Sequence, residues 1–473
     1  MSTSGSSLYS STVSSILGNI NDAFSGKTAG IDVSSIVNEL MQVEDQPETQ
    51  WQDEQTTISS QVSALTTMNT QLSTLNDSVD SLTDILGALS QMTTGSSDST
   101  VVSASADNTA VAGTHSIVVS NLATTSSSYS GYIPSGSSLA GAEITVEYGN
   151  PNNPTSTDNI DIPTTDTTLQ QAASYINGGG YGVTASVVTD SQGSRLVLGS
   201  NTSGAAGNLT VSSSATNFTS TAGVDAQLTV DGVPVDSSTN TVTGAISGVT
   251  LSLGSADPNT PVLISVQPDT TQASDAIQSF VTAYNAIIGS INSQYTVNPT
   301  TGSEGVLAGD SMLRTLQSQL LSMVSGSTSA AGPYVNLQSM GIEMQNDGTL
   351  QINASALSTA LSSNYSDVQS FFQSTSPAGW GETASTQLQQ LTDPTLGPVS
   401  ADIAGLNQTS NSLTSEINDF EANMTGVQQQ LTSQYDDLNT LLMQYPMQME
   451  EVSSQLSSLP NATTTSSSTS SSI

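Results

Sequence analysis

The stretch Ile58–Leu89, ISSQVSALTTMNTQLSTLNDSVDSLTDILGAL, sets apolar residues in two rows of seven-residue steps. One row is Ile58, Leu65, Leu72, Val79 and Leu86, and the other is Met68, Leu75, Leu82 and Leu89. The pattern returns between Ile403 and Leu459. Its rows there are Ile403, Ile417, Met424, Leu431, Leu438, Tyr445, Val452, Leu459 and Leu406, Leu413, Phe420, Val427, Leu441. A stripe repeating every 3.5 residues over several heptads is the signature of helices paired along a seam. Two such stripes bracketing the rest of the chain predict that its ends pair into a coiled-coil-like stalk. The seam is expected to rest on Ile58, Leu65, Leu72, Leu75, Val79, Leu82, Ile417, Phe420, Met424, Val427, Leu431 and Leu438. Pro446 lies inside the second stripe, and an interior proline forfeits a backbone bond, so a kink or break is predicted near Tyr445-Pro446.

Between these ends the period changes to that of strands. Val101–Ala106 and Ser116–Asn121 alternate or run β-branched, and similar segments follow near Ile144–Tyr148, Val183–Val188, Arg195–Leu198, Ala226–Val230, Thr241–Val242, Thr250–Leu253 and Val262–Val266. Asp231-Gly232 reads as a hairpin turn. A short helix over Thr167–Ile176 stops at a run of glycines. From Thr271 a 3.6-residue period returns, through Ile277, Phe280, Val281, Tyr284, Ile287, Ile288 and Ile291, then Leu313, Leu316, Leu320 and Val324, with a further helix over Leu357–Phe372. The expected fold is α+β and multidomain, a stalk of paired N- and C-terminal helices plus two β-rich heads. Expected boundaries are a disordered tail at 1–30, N-terminal stalk helices at 31–95, a first head at 96–135 and 222–270, a second head at 136–221, an α-rich stalk part at 271–398, a C-terminal stalk helix at 399–460 and a disordered tail at 461–473.

Charge narrows the function. The 473 residues carry 40 acidic side chains against three Lys and Arg, a formal net charge of -37. Such a surface repels phosphate and disfavours nucleic acid and anionic membranes. No stretch approaches the roughly 20 apolar residues of a membrane span, so no insertion is expected. The first residues lack the positive and apolar regions of a cleavable secretory signal. Cysteine is absent, which removes disulfides, thiolate nucleophiles and thiolate metal sites. His115 is the one histidine, so a Ser-His-Asp arrangement would have to use it, and its strand setting reads as structural. Gly178-Gly179-Gly180 follows a helix instead of opening one, and the Asp-Gly pairs lack the further oxygens of a calcium loop. No catalytic residue, cofactor or metal is expected. Trp51, Trp380 and Phe371-Phe372 read as core, or as contacts between subunits.

A run of short motifs carries a resemblance. Gly30-Ile31-Asp32, Ile36-Val37, Leu40-Met41, Glu44 and Pro47 resemble the opening of the flagellar hook-associated protein 2 family, the filament cap. In that family's order follow Gly113-Thr114 with Ile117-Val118-Val119 and Asn121-Leu122-Ala123, Gly193–Leu198, Asn240-Thr241-Val242 with Gly248–Leu251, Phe280-Val281 with Ala283-Tyr284-Asn285, Leu307–Asp310, Gly341-Ile342 and Asp347–Leu350. The resemblance implies a homo-oligomeric ring at the distal tip of the flagellum, outside the cell. There β heads form a lid and stalk ends reach toward the filament, retaining exported flagellin while it folds. It implies flagellin and the hook–filament junction proteins as partners, with the flagellar export apparatus and an export chaperone on the C-terminal region, and no enzyme activity. The chain departs from the family in the flanks of its terminal helices, which hold Gln, Ser, Thr and Asn where relatives carry many Lys and Arg. Two alternatives stay open: an extracellular adhesin with β heads on a stalk, and a flagellin-like filament subunit. The one-sided charge is expected to oppose assembly in dilute neutral buffer, with salt or acid relieving it.

Overall fold

The computed structural model describes residues 3–24, 30–134, 137–297, 299–300, 302–328, 333–374 and 379–458. Three helices come first, α1 (Thr3–Phe24), α2 (Val33–Glu44) and α3 (Gln46–Thr83). A strand-rich region follows: β1 (Met92–Ser96), β2 (Val102–Ala106), β3 (Gly113–Asn121), β4 (Thr125–Ser130), β5 (Glu143–Asn150), β6 (Asn153–Asp161), α4 (Leu169–Gly178), β7 (Val183–Asp190), β8 (Gly193–Ser203), β9 (Leu209–Ser213), β10 (Phe218–Thr221), β11 (Ala226–Val230), β12 (Val233–Ser237), β13 (Thr241–Ile246), β14 (Val249–Leu253) and β15 (Asp257–Pro268). The last part is helical around one small hairpin: α5 (Thr270–Tyr295), α6 (Ser311–Ser325), β16 (Ile342–Met344), β17 (Leu350–Ile352), α7 (Ala354–Ser363), α8 (Tyr365–Gln373), α9 (Trp380–Thr392) and α10 (Pro398–Ser457). The chain divides into two compact units, one of Met1–Thr74, Ala286–Leu320 and Leu388–Ile473, the other of Leu75–Asn285 and Leu321–Gln387. The α+β, multidomain class expected from the sequence is the class observed.

The second unit holds two β heads. In the first, an antiparallel sheet β1-β15-β3-β11-β12 and a smaller one, β13-β14-β2, enclose Val102, Ile117, Val119, Leu251 and Ile264, all fully buried. Alternation explains the closure: in β15, Val262, Ile264 and Val266 turn inward while Leu263 faces solvent. At the β11–β12 turn Asp231 adopts φ 51°. Its carboxylate accepts from the backbone N–H of Ser116 at 2.8 Å and pairs with Nδ1 of His115 at 2.7 Å. The single histidine thus ties a turn to its neighbouring strand.

The second head sets a sheet β10-β4-β8-β7 and a sheet β6-β5-β9 around Ile144, Val146, Ile160, Leu196, Leu198 and the inner face of α4. Two boundaries differ from the sequence reading. Residues 125–130, expected in the first head, form β4 inside the second, pairing with β8 and β10. The strand has no apolar alternation because its inward positions are Ser126, Ser128 and Ser130, all fully buried. Each hydroxyl is satisfied: Ser126 donates to the carbonyl of Thr221 at 2.8 Å and accepts from Leu209 N–H at 3.0 Å, and Ser130 accepts from Leu196 N–H at 2.9 Å. The expected helical region 31–95 also ends early. Helix α3 stops at Thr83, Leu86 is exposed, and Met92 already opens β1.

Other corrections concern helices. Residues 1–30 were expected to be disordered, yet Thr3–Phe24 is helical, with Ile16 and Ile20 packed against the core of the first unit. The single helix expected over Leu357–Phe372 is two, parted at Asn364, whose φ and ψ of -139° and 44° leave the helical region. The tail at 461–473, and Leu459 with it, lies outside the described residues.

Three asparagines act as strand mimics. The carboxamide of Asn240 accepts from Ala123 N–H at 2.7 Å and donates to Ala123 C=O at 3.0 Å. Asn177 does the same for Ala185, at 2.7 and 2.9 Å, and Asn285 for Leu350, at 2.7 Å in both directions. A primary amide presents donor and acceptor side by side, as a backbone neighbour would. Replacing Asn285 by Leu removes both partners of Leu350, and each stranded buried group costs about 1–3 kcal/mol. Asn285→Leu is expected to lower the thermal midpoint by several degrees and Asn285→Asp, which keeps only the acceptor, by less. Equal midpoints in calorimetry would refute the clamp.

Candidate functional site

The first unit is organised by α10 lying antiparallel to the N-terminal helices. Trp51 of α3 meets Phe420 edge-on at 5.4 Å between ring centres, and one turn further along α3 Gln55 donates to the hydroxyl of Thr414 at 2.7 Å. Earlier in the chain, Ile31 N–H donates to Oδ1 of Asn439 at 2.9 Å. Positions rise on one side as they fall on the other. Gly30 precedes this contact with φ 120°, and a Cβ there would collide with the Asn439 carboxamide, so glycine is required twice over. Asp32 then caps α2 by accepting from Ser35 N–H at 3.0 Å. The result is an apolar cluster of Ile31, Val33, Ile36, Val37, Met41 and Met424, flanked by Phe420, Leu431, Tyr435 and Leu442.

Among the seam residues named from the sequence, Ile58, Leu65, Leu72, Leu75, Val79 and Leu82 are buried along α3, and Ile417 and Met424 are buried on α10. Phe420 and Leu431 are half-buried. Val427 and Leu438 face solvent, at 38% and 40% exposure. The inward residues of α10 are instead Leu413 and Leu431, Ile417 and Tyr435, Met424 and Leu442, three pairs each separated by 18 positions. Eighteen residues are five turns at 3.6 residues per turn, so α10 follows the period of a straight helix. A strict heptad row drifts about 20° per seven residues against such a helix, and Val427 and Leu438 have drifted out of the seam. The partner changes too, since beyond Phe420 the stripe meets α2 and α1 instead of the heptad rows of α3. The predicted break at Pro446 is absent: α10 continues through it to Ser457. Leu441, Met443, Tyr445, Met447, Met449, Val452 and Leu456 are more than half exposed there.

Sequence reasoning missed one pair of side chains in this unit. Asp310, whose Oδ1 caps α6 by accepting from Met312 N–H at 2.8 Å, also faces Asp402 near the start of α10. Burial, reinforced by that second carboxyl, pushes Asp402 up to about 6. Residues 310 and 402 are 92 positions apart by subtraction, so nothing local in the sequence points to them. Trp380 and Phe371-Phe372 are core: the indole donates to Met323 C=O at 3.0 Å and its ring lies 5.3–5.6 Å from Phe280, Phe371 and Phe372. Among the described residues no group of three or more His, Asp or Glu side chains is placed to hold a metal ion, and no helix is long and apolar enough to cross a membrane.

In the chain, the β-sheet heads thus lie between terminal helices that pack on each other, and the last of those helices leaves a run of apolar side chains exposed. The family model for the N-terminus of flagellar hook-associated protein 2 matches residues 29–126 and that for its C-terminus matches 223–446; a flagellin hook IN motif matches 144–202. The chain belongs to the flagellar hook-associated protein 2 family. It is 27% identical over 406 residues to the B-type flagellar hook-associated protein 2 of Pseudomonas aeruginosa, covering 78% of this chain and 83% of that one. It is 27% identical over 448 residues to the flagellar hook-associated protein 2 of Escherichia coli K12, covering 88% and 94%. Its fold matches the crystal structure of the D1-D2-D3 domains of the flagellar cap protein FliD from Escherichia coli with a TM-score of 0.58 and 28% identity, over 73% of this chain and 99% of that one.

The 3.6-residue reading of α10 makes a local prediction. Met424→Ala removes a buried side chain from the cluster and is expected to cost about 2–3 kcal/mol, whereas Val427→Ala, three residues on, is expected to stay within about 0.5 kcal/mol of the parent. Denaturant titration followed by circular dichroism distinguishes them, and equal losses would restore the heptad seam.

Proposed function

We infer that this chain caps the distal end of a bacterial flagellar filament. The observation that carries the reading is the joint match of the N- and C-terminal family models, in order, to a chain whose fold spans nearly all of the D1-D2-D3 region of a flagellar cap protein. Neither a flagellin-like subunit nor an adhesin is favoured, because the relatives aligned over most of the chain are hook-associated protein 2 molecules.

Finer parts of the reading are proposals. Several copies form a ring, whose β heads make the lid beneath which arriving flagellin folds, and whose terminal helices reach the filament and the hook–filament junction proteins. The open stripe from Leu441 to Leu456 supports contact with such neighbours, since a run of exposed Leu, Met, Tyr and Val on one helix marks an interaction surface. In this proposal an export chaperone covers that stripe before assembly, and the protein passes through the flagellar export apparatus to act outside the cell. The work needs no acid, base, cofactor or metal, so no enzyme activity is assigned.

A strain lacking the protein is expected to release flagellin as soluble monomer and to swim poorly, because nothing holds subunits at the tip while they fold. Supplying the full chain should restore filaments, and supplying Leu72→Asp, which buries an unpaired charge in the stalk, should not. Long filaments in the deletion strain, seen by electron microscopy, would overturn the assignment.

A further inference from the structure

The charge anomaly of this chain is a shortage of bases, not an excess of acids. Soluble proteins average about 25% charged residues, which at this length means several tens of Lys and Arg. Here the charged fraction is 9%, with three Lys and Arg and one His beside 40 acids. A surface adapted to concentrated salt would be crowded with carboxylates, whereas this one is hydrated chiefly by Ser, Thr, Asn and Gln, groups whose polarity is indifferent to pH. The structure carries the same mark. None of the ten helices among the described residues has a base in its last turn, where one would oppose the negative end of the dipole. Between described residues, the ion pair is His115 with Asp231.

Acid unfolds ordinary proteins by two routes: paired carboxylates lose their partners, and the remaining bases repel one another. Both routes are narrow here. Below about pH 3 nearly all carboxyls are neutral, and the bases leave only a small positive charge in place of -37. We propose that this chain is built for an acidic medium, at or below about pH 3.5, in which most of its carboxyls are neutral and its copies fold and associate with little mutual repulsion. Association rests on the cap reading, and folding does not.

One contact favours the acid form directly. Oδ2 of Asp402 is buried and has no hydrogen-bond partner. An ionised oxygen in that position is costly, whereas a protonated Asp402 donates to Asp310, the titratable side chain set against it. Its carboxyl lies above the ordinary value of 3.8, so the stability it contributes is complete below about that pH and is lost as pH rises through about 6. The opposite sign belongs to Asp231, held down by His115, to Asp393, which accepts from the backbone of Leu396 and Thr395, and to a further five, Asp98, Asp107, Asp190, Asp257 and Asp347. Hydrogen bonds from the residue two positions on hold these five carboxyls below their ordinary value, and that stability is lost on acidification. These five lie at the surface, Asp257 half-buried at the start of β15 and the others exposed, so their local bonds are screened and relief of the whole-chain charge outweighs them.

The experiment follows the full-length chain by near-UV circular dichroism, thermal melting and sedimentation velocity at pH 3.5, 5 and 7, in dilute buffer and in 2 M KCl. The near-UV signal is expected to persist at pH 3.5, with the midpoint higher there than at pH 7 in dilute buffer by at least about 5 °C and the sedimenting mass higher as well. A lost near-UV signal or a lower midpoint at pH 3.5 would overturn the proposal, and recovery at pH 7 by KCl alone would then point to a saline medium. A higher midpoint with an unchanged monomer mass would uphold the acidic medium and remove the ring. Asp402→Asn, which fixes the neutral form, is expected to flatten the change in midpoint between about pH 4 and 6; a profile parallel to the parent's would overturn the part assigned to the pair.

Discussion

Helix α10 runs for 60 residues with no basic side chain, so it lacks the Glu–Lys pairs that steady isolated helices, and it carries a proline in its interior. Its order has to come from packing. The apolar stripe through Leu413, Ile417, Met424 and on to Leu442 supplies it only because α2 and α3 lie antiparallel against its first two thirds. The point at which the two strands of that arrangement are brought into register is small: Gly30, Ile31 and Asp32 on one side, Asn439 on the other. A turn that only glycine makes, a backbone bond to a side chain 408 positions away and a helix cap meet within three residues.

The family motifs visible in the sequence turn out to be devices of this kind. Asn240 and Asn285 clamp a neighbouring residue by both backbone groups, and Asp310 and Asp347 hold a cap and a turn. Gly341, with φ 90°, closes a short helix into β16. These residues entered the sequence reading through the family resemblance, since nothing in apolar periodicity marks them.

What escaped the sequence shares a cause as well. Apolar periodicity finds elements that bury carbon, so it passed over β4, whose buried face is made of serines, and α1, where Val13, Ile16, Leu17 and Ile20 are diluted by Ser, Gly and Asn. Heptad counting found the right helices but the wrong late seam positions, because 3.5 and 3.6 part company only after several turns. Long-range pairings such as Asp310 with Asp402 have no local signature at all. The helical heart of the second unit, by contrast, could be read residue by residue: Phe280, Tyr284, Phe371 and Phe372 are all fully buried.

The nested order of pairing also governs when this chain is able to fold. β1 waits for β15, whose partners Met92 and Pro268 are 176 residues apart by subtraction, and α2 waits for α10 at the far end of the chain. Within the first head, β3 meets β11 and β15 only after the whole second head has intervened. Loop closure on this scale is slow, and in a partial chain emerging N-terminus first the opening helices have each other but not α10. The same topology that joins the N-terminal helices to α10 once complete therefore leaves that pairing unmade until the sixty residues of α10 arrive.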